Sequence, residues 1–281
     1  MRRTRFFFAL VLSLFIAGLL VTAPHVRAIV YGFVDTKNVF TNTGAFIVKS
    51  PTTGNIFPIC SGALIAPNVF LTASHCTIFF EQDLAPRGFT AFISFDNPIP
   101  FGDLTSRRTR LIPVSQVITN PNYNPSQSDS GDIAVLLVSS QDTRGITPAT
   151  LPPAGLLDQL AAQNGLEGTT ITPVGYGLQN RVTGGGPPFF QDRNPAPRMY
   201  AFSSFNALNP GYLRMSQNPA TGDGGACFGD SGGPNFFNYN GTRLLIAITI
   251  TGDAVCRATN VSYRMDIASA RAFLAPYVTL P

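Results

Sequence analysis

Cys227-Phe228-Gly229-Asp230-Ser231-Gly232-Gly233-Pro234 is the stretch whose reading decides the rest. It sets a serine in a tight glycine-rich turn directly after an aspartate. Glycine on both sides permits backbone conformations that side chains forbid, so the hydroxyl can stand clear of the turn. A serine hydroxyl is a weak nucleophile until a base takes its proton, so such a turn calls for a histidine and an acid to orient it. The chain has 2 histidines, and His25 falls in a segment read below as removed. That leaves His75, in Leu71-Thr72-Ala73-Ser74-His75-Cys76. The acid is Asp132, in Gly131-Asp132-Ile133-Ala134-Val135-Leu136, a single carboxylate at the head of an apolar run.

The order histidine, aspartate, serine separates the reading from its rivals. Gly229-x-Ser231-x-Gly233 also fits the nucleophile turn of α/β-hydrolases, but there the histidine follows the serine, and none follows Ser231. The subtilisin order needs an aspartate ahead of the histidine, and between Ile29 and His75 there is only Asp35, in no recognisable setting. Taken singly, a histidine, an aspartate before a strand and a glycine turn are ordinary structural features. It is their conjunction, with cysteines beside two of the three, that points to nucleophilic catalysis.

The chain starts with a signal-like segment. Arg2, Arg3 and Arg5 precede an apolar run from Phe6 to Val21, and Val26-Arg27-Ala28 supplies small residues where a signal peptidase reads. A cut after Ala23 also fits the size rule but places Pro24 next to the bond. Residues 1–28 are therefore read as a secretory signal, and the run falls short of the ~20 apolar residues of a membrane span. This segment holds four arginines and no acids, so the remaining 253 residues carry 15 basic and 15 acidic groups. The net charge of +4 thus belongs to the signal, and no nucleic-acid or membrane partner is expected once it is removed.

Short runs rich in Val, Ile, Thr and Phe, punctuated by Pro, Gly, Asn and Asp, predict strands at 45–48, 60–65, 69–72, 90–94, 111–118 and 133–138. After a proline-rich link at 148–153, a second set is predicted at 170–176, 200–205, 211–215, 234–237, 243–251 and 261–265. Long loops are expected at 77–89 and 181–197, with flexibility in Gly184-Gly185-Gly186-Pro187-Pro188. Helical periodicity shows only near the end, where Asp266 is expected to cap a short helix that Pro276 stops. Four cysteines in an exported chain suggest two disulfides, for which spacing alone leaves three connectivities open. One histidine without close cysteine pairs makes no metal cluster, and no cofactor is expected.

Thr72-Ala73-Ser74-His75-Cys76, Asp132-Ile133-Ala134-Val135-Leu136 and Gly229-Asp230-Ser231-Gly232-Gly233-Pro234 together resemble the chymotrypsin/trypsin family of serine endopeptidases, from Ile29 to the C-terminal segment. The resemblance implies an all-β fold of two antiparallel Greek-key β-barrels with a short C-terminal helix. An N-terminal barrel at 29–147 would carry His75 and Asp132, and a C-terminal barrel at 148–281 would carry Ser231, with the site in the cleft between them. It implies disulfides Cys60–Cys76 and Cys227–Cys256, and an oxyanion site at the N–H groups of Gly229 and Ser231. It also implies a secreted endopeptidase acting as a monomer on protein or peptide substrates. Two other readings share the fold: a catalytically silent binding protein, whose usual mark is a substituted triad, and a hydrolase of small esters, which needs no extended peptide groove.

The chain departs from the family pattern in one place. Where members carry Ser-Trp-Gly, it has Ile250-Thr251-Gly252, and it contains no tryptophan. The serine that would support the buried aspartate is therefore missing, unless a register shift brings in Thr249 or Thr251. By the same resemblance, the floor of the primary specificity pocket falls on Gly225, a wall on Val261 and the rim on Gly252. With no carboxylate at the floor, an uncharged side chain is expected there, and Asp253 and Asp223 are the two nearby charges that could still favour a cation. Finally, Ile29-Val30-Tyr31-Gly32 resembles the start of active members, in which the freed α-amino group pairs with the aspartate before the serine, here Asp230. A signal-peptidase cut after Ala28 generates that terminus directly.

Overall fold

A computed structural model of the chain describes residues 29–100, 102, 109–178, 180–182, 189–191 and 194–281. The signal-like segment 1–28 and the glycine-proline run 184–188 lie outside the described residues. The strands, in chain order, are β1 (Phe33–Val34), β2 (Thr43–Lys49), β3 (Ile56–Ala66), β4 (Val69–Thr72), β5 (Thr90–Ser94), β6 (Ile112–Thr119) and β7 (Ala134–Val138). Then come β8 (Thr170–Gly175), β9 (Asn180–Val182), β10 (Phe189–Gln191), β11 (Met199–Tyr200), β12 (Ser203–Leu208), β13 (Tyr212–Ser216), β14 (Pro234–Tyr239), β15 (Thr242–Gly252) and β16 (Thr259–Arg264).

These strands make two closed six-stranded antiparallel barrels. The first runs in the order β2-β3-β4-β7-β6-β5. The second runs β8-β12-β13-β16-β15-β14 and closes through β8–β14. Register shifts interrupt the ladders between Phe46 and Ile47, Val114 and Gln116, Phe205 and Ala207, and Thr249 and Thr251. Each extra residue sharpens the local bend, and so small a barrel needs such bends to close. The twelve predicted strands are present with boundary changes, except that 200–205 is broken at residues 201 and 202 into β11 and β12. β1 crosses from the N-terminal segment to pair with β11 on the second barrel's sheet.

The helices differ more from expectation. Residues 77–89, expected as a loop, continue the helix α1 (Ser74–Phe79) as a π turn, Phe80–Leu84, and a 3₁₀ turn, Ala85–Arg87. Within 181–197, also expected as a loop, β9 and β10 pair as a hairpin. A helix α2 (Leu156–Ala162) was not foreseen. The C-terminal helix is α3 (Ala268–Leu274), but Asp266 does not cap it: the N-cap is Ile267, with no side-chain bond. Asp266 instead turns back to accept from the Leu157 N–H (2.8 Å) in the first turn of α2. The fully buried Arg264 guanidinium donates to it as well (Nε 3.0 Å, Nη2 2.9 Å), holding its carboxylate in that direction.

One apolar cluster joins the barrels. It contains Phe46, Leu71, Val135 and Leu136 from the first, and Leu245, Ile248 and Tyr263 from the second. Beside it lies a buried ion pair. Arg198 Nε donates to Asp35 Oδ2 at 2.9 Å, with both side chains 1% exposed. The same guanidinium donates to the carbonyls of Thr43 (3.2 Å) and Phe95 (3.3 Å), the Tyr176 hydroxyl (3.1 Å) and Asn38 Oδ1 (2.8 Å). Asp35 also accepts from the N–H groups of Val39 and Phe40. The pair thus ties the N-terminal segment to strand ends of both barrels. Breaking such a pair from one side leaves an uncompensated buried charge. Asp35→Ala is therefore expected to lower unfolding free energy by ~3–5 kcal/mol in a denaturant titration; a loss under ~1 kcal/mol would show that the pair does not hold the barrels.

Candidate active site

Strand pairing brings His75 and Asp132 together. β4 and β7 are antiparallel neighbours with Thr72 opposite Ala134, so the residues just after β4 and just before β7 emerge at the same end. His75 is in the first turn of α1. Ser74 Oγ donates to the Ile133 carbonyl (2.7 Å) and accepts from the Asn120 N–H (3.2 Å), fastening that turn to the aspartate loop. Asp132 then accepts twice from one residue: Oδ1 from the His75 backbone N–H at 3.0 Å, and Oδ2 bonded to Nδ1 of the ring at 2.8 Å. The carboxylate side chain is 7% exposed and the ring 32%. The other ring nitrogen, Nε2, lies 3.6 Å from Cys76 Sγ, and among the described residues it makes no hydrogen bond to Ser231.

Neither Thr249 nor Thr251 stands in for the missing serine. Thr249 Oγ1 is bonded to Asn235 Nδ2 (3.1 Å) inside the second barrel, and Thr251 is exposed beyond the register shift. Asp132 is held instead from its own loop and from the second barrel. Asn120 Nδ2 donates to the Gly131 carbonyl (2.9 Å), the Tyr212 hydroxyl accepts from the Ser130 N–H (3.1 Å), and the Tyr263 hydroxyl donates to Asp129 (2.7 Å).

The serine turn is built from internal bonds and one clamp. The Asp230 N–H donates to the Cys227 carbonyl (3.0 Å) and the Gly233 N–H to the Asp230 carbonyl (2.8 Å). Gly229 and Gly232 sit at φ +91 and +78, where a side chain is strained, and a Cβ on Gly232 would overlap Thr72 Oγ1. From the first barrel, the Ser61 N–H donates to the Ser231 carbonyl (2.8 Å), and Ser61 Oγ donates to the Gly229 carbonyl (3.0 Å) while accepting from the Tyr176 N–H (3.0 Å). Thr72 Oγ1 in turn donates to the Ser61 carbonyl (2.9 Å). Among the described residues, neither the Gly229 nor the Ser231 N–H donates a backbone hydrogen bond. Ser61 and Tyr176 carried no signal in the sequence beyond lying in predicted strands, and Thr72 showed only as the first residue of the histidine motif.

Asp230, next to the serine, is 1% exposed. Burial pushes its pKa up to about 7, against the Cys227 and Gly177 N–H groups, which donate to it at 2.9 and 2.8 Å. Ile29 is buried against Met199 and Ala201, and Val30 packs against Cys227 and Cys256 and accepts from the Gly225 N–H (3.0 Å). Val30 therefore lies against the segment that carries Asp230.

Disulfides join Cys60 to Cys76 and Cys227 to Cys256. The sulfurs of Cys60 and Cys76 and a ring nitrogen of His75 lie within 4.8 Å of one another. Bonded to each other, those sulfurs are not thiolates and cannot serve as metal ligands.

His75 and Ser231 line one cavity of about 490 Å³. Ile59, Phe79, Phe228, Ala226, Gly252 and Asp253 also line it. Gly225 and Val261, expected as floor and wall, are not in its lining; Gly225 is buried behind Ala226, and Val261 faces Arg214 and Thr251 in the sheet. Asp253 is kept ionised. Burial alone would raise its pKa, but the N–H groups of Thr259, Arg257 and Ala258 and the Gln217 amide bring it down to about 2. Asp223 is likewise drawn down in spite of burial, by the hydroxyls of Ser204, Ser216 and Thr221, and it is spent on those partners rather than on the cavity.

The sequence model of the family described as Trypsin matches residues 33–273. The chain belongs to the trypsin family. It is 28% identical over 235 residues to vitamin K-dependent protein C of Rattus norvegicus, covering 78% of this chain and 46% of that one. It is 30% identical over 155 residues to the protein C sequence of Equus caballus, covering 52% and 93%. Against brachyurin of Leptuca pugilator it is 29% identical over 226 residues, covering 77% and 89%. The chain thus spans about half the length of the rat relative. Among the described residues, no helix is long and apolar enough to cross a membrane.

The clamp generates a prediction of its own. Ser61→Ala removes the hydroxyl between Gly229 and Tyr176 and leaves two buried backbone groups to find other partners, so stability should fall by ~1–3 kcal/mol. Turnover should fall with it, measured as kcat on a peptide substrate; a variant with wild-type kcat and stability would show the clamp to be dispensable.

Proposed function

We propose that this chain is a secreted serine endopeptidase working through His75, Asp132 and Ser231. The observation that carries the reading is the 2.8 Å bond from His75 Nδ1 to Asp132 Oδ2 beside a cavity that Ser231 also lines. In the proposed reaction, His75 Nε2 takes the proton of Ser231 as Oγ attacks a peptide carbonyl, then gives it to the leaving amine. Asp132 holds the ring tautomer and stabilises the imidazolium. The Gly229 and Ser231 N–H groups bind the oxyanion, a contribution of ~3 kcal/mol per donor. Their placement is supported by the Ser61 bonds to both carbonyls of the turn. The acyl-enzyme is then hydrolysed by water along the same path.

The side chain preceding the scissile bond is read as uncharged. Among the described residues the carboxylate lining the cavity is Asp253, whose Oδ1 is taken up by Gln217, Ala258 and Thr259 and whose Oδ2 accepts from the Arg257 N–H. Export is supported by the two disulfides and the signal-like segment. The test is hydrolysis of denatured casein by the purified protein. Ser231→Ala is expected to abolish it, and Asp132→Asn to lower kcat by ~10⁴ without unfolding, the effect of the same change in the archetypal Ser-His-Asp protease. Casein hydrolysis that survives Ser231→Ala would overturn the assignment.

Activation is proposed to need no step beyond signal cleavage after Ala28, which places the Ile29 ammonium next to Asp230. The sign of the pH dependence separates the two forms. Without the ammonium, native Asp230 binds a proton up to about pH 7 while the unfolded chain has lost it near pH 4, so stability falls as pH rises between these values and stays low above them. With the ammonium the carboxylate is paired, and this loss disappears. Thermal unfolding between pH 4 and 8 should therefore show a downward slope for a chain extended ahead of Ile29, and none for Asp230→Asn in the same extended chain. An equal slope in the two would exclude Asp230 as its source.

A further inference from the structure

A buried side chain with no counterpart in the motifs lies behind Asp253, one of the residues that line the cavity. Gln217, directly after β13, is 0% exposed, and its backbone N–H donates to the Ala258 carbonyl at 3.0 Å. Its side-chain Nε2 donates to Asp253 Oδ1 (3.1 Å) and to the Thr259 carbonyl (3.3 Å). Two acceptors on that side determine which end of the amide is nitrogen. The opposite atom, Oε1, is buried and has no hydrogen-bond partner among the described residues. It lies where a Cβ on Gly225 would stand, and the Gln217 Cβ and Cδ are only 2.6 and 3.1 Å from that point. The glutamine therefore lies flat across Gly225 and fills the space a floor residue would occupy. Ala226 and Asp253 line the cavity, whereas Gly225 and Gln217 do not.

We propose that Gln217 is a specificity-determining residue: its buried side chain plugs the primary pocket beneath Gly225, so that the pocket accepts only a short uncharged side chain before the scissile bond. The inference rests on the endopeptidase reading above and names its substrate class. Length is limited because the deep end is filled. Acidic side chains are excluded because they would meet the Asp253 carboxylate and an acceptor oxygen with no donor between them. Lysine and arginine are excluded by the same limit on length, since the deep end is filled. An orphaned buried carbonyl is unfavourable beside an apolar side chain of the same shape. A group kept at such a penalty next to a reaction cavity is more readily explained by what it does to the cavity than by stability.

The test is a series of peptides differing only in the residue before the scissile bond (Ala, Val, Leu, Phe, Lys, Arg, Glu), cleaved by enzyme whose active concentration is set by the burst from a nitrophenyl ester. Wild type should be fastest on Ala or Val. Gln217→Ala should raise kcat/KM for Leu and Phe relative to Ala by at least about tenfold, the discrimination one or two methylenes bring in a pocket. Gln217→Leu refills the space without the amide and should keep the wild-type ratio. An unchanged ratio in Gln217→Ala would overturn the plug, as would an equal shift in both variants. So would a wild-type profile led by Phe, Lys or Arg, which needs no variant to fold. Absence of a burst from wild type would instead sink the endopeptidase reading, and this inference with it.

Discussion

Ser61 is where the two barrels meet at the site, and the placement of everything around the nucleophile depends on it. Its N–H holds the Ser231 carbonyl, its hydroxyl holds the Gly229 carbonyl and receives the Tyr176 N–H, and its own carbonyl is held by Thr72. His75 and Asp132 are positioned by β4 and β7 of one barrel, Ser231 by a turn leading into β14 of the other. Two rigid bodies meeting in a cleft have no intrinsic reason to present His75 and Ser231 to the same cavity. A short strand residue bonded to both sides supplies that reason, because a slip of the interface by an ångström would break several hydrogen bonds at once.

The interface is polar as well as apolar, and its charges are handled differently. Arg198 and Asp35 are both fully buried, yet each is surrounded by partners, so the pair fastens the N-terminal segment without stranding a charge. Asp230 has only two N–H donors in an enclosed site and retains its proton to about pH 7. Val30 packs against the disulfide that flanks its segment. Asp253 is the opposite case, its charge spread over a fan of backbone donors until it is an anchor for the loop at 253–259 and for Gln217.

Local features were the legible ones. Strands showed as runs of β-branched and aromatic residues, and the serine turn and the His75 and Asp132 stretches showed as short motifs, because each depends on neighbours a few residues away. What escaped reading depends on residues far apart in the chain. α2 spans only seven residues and starts at Gly155 rather than at a capping side chain; its first turn is secured by Asp266, 109 residues on. That distant use of Asp266 is also why the expected cap on α3 failed. Asp35 looked like a loose acid because its partner, Arg198, is 163 residues away. Gly225 was counted along the chain to the floor of the pocket, yet it does not line the cavity, and no count could show that Gln217 would lie across it. In each case the missing information was a tertiary contact, which overrides what the local segment prefers.

The central claim is that Ser231 is the activated hydroxyl of this chain. Its most direct test is peptide mapping by mass spectrometry after reaction of the purified protein with a fluorophosphonate. The account predicts one phosphonyl adduct per molecule, on the peptide containing Ser231, and none once the protein is unfolded before labelling. An adduct on another serine, or labelling that persists in the unfolded chain, would contradict it.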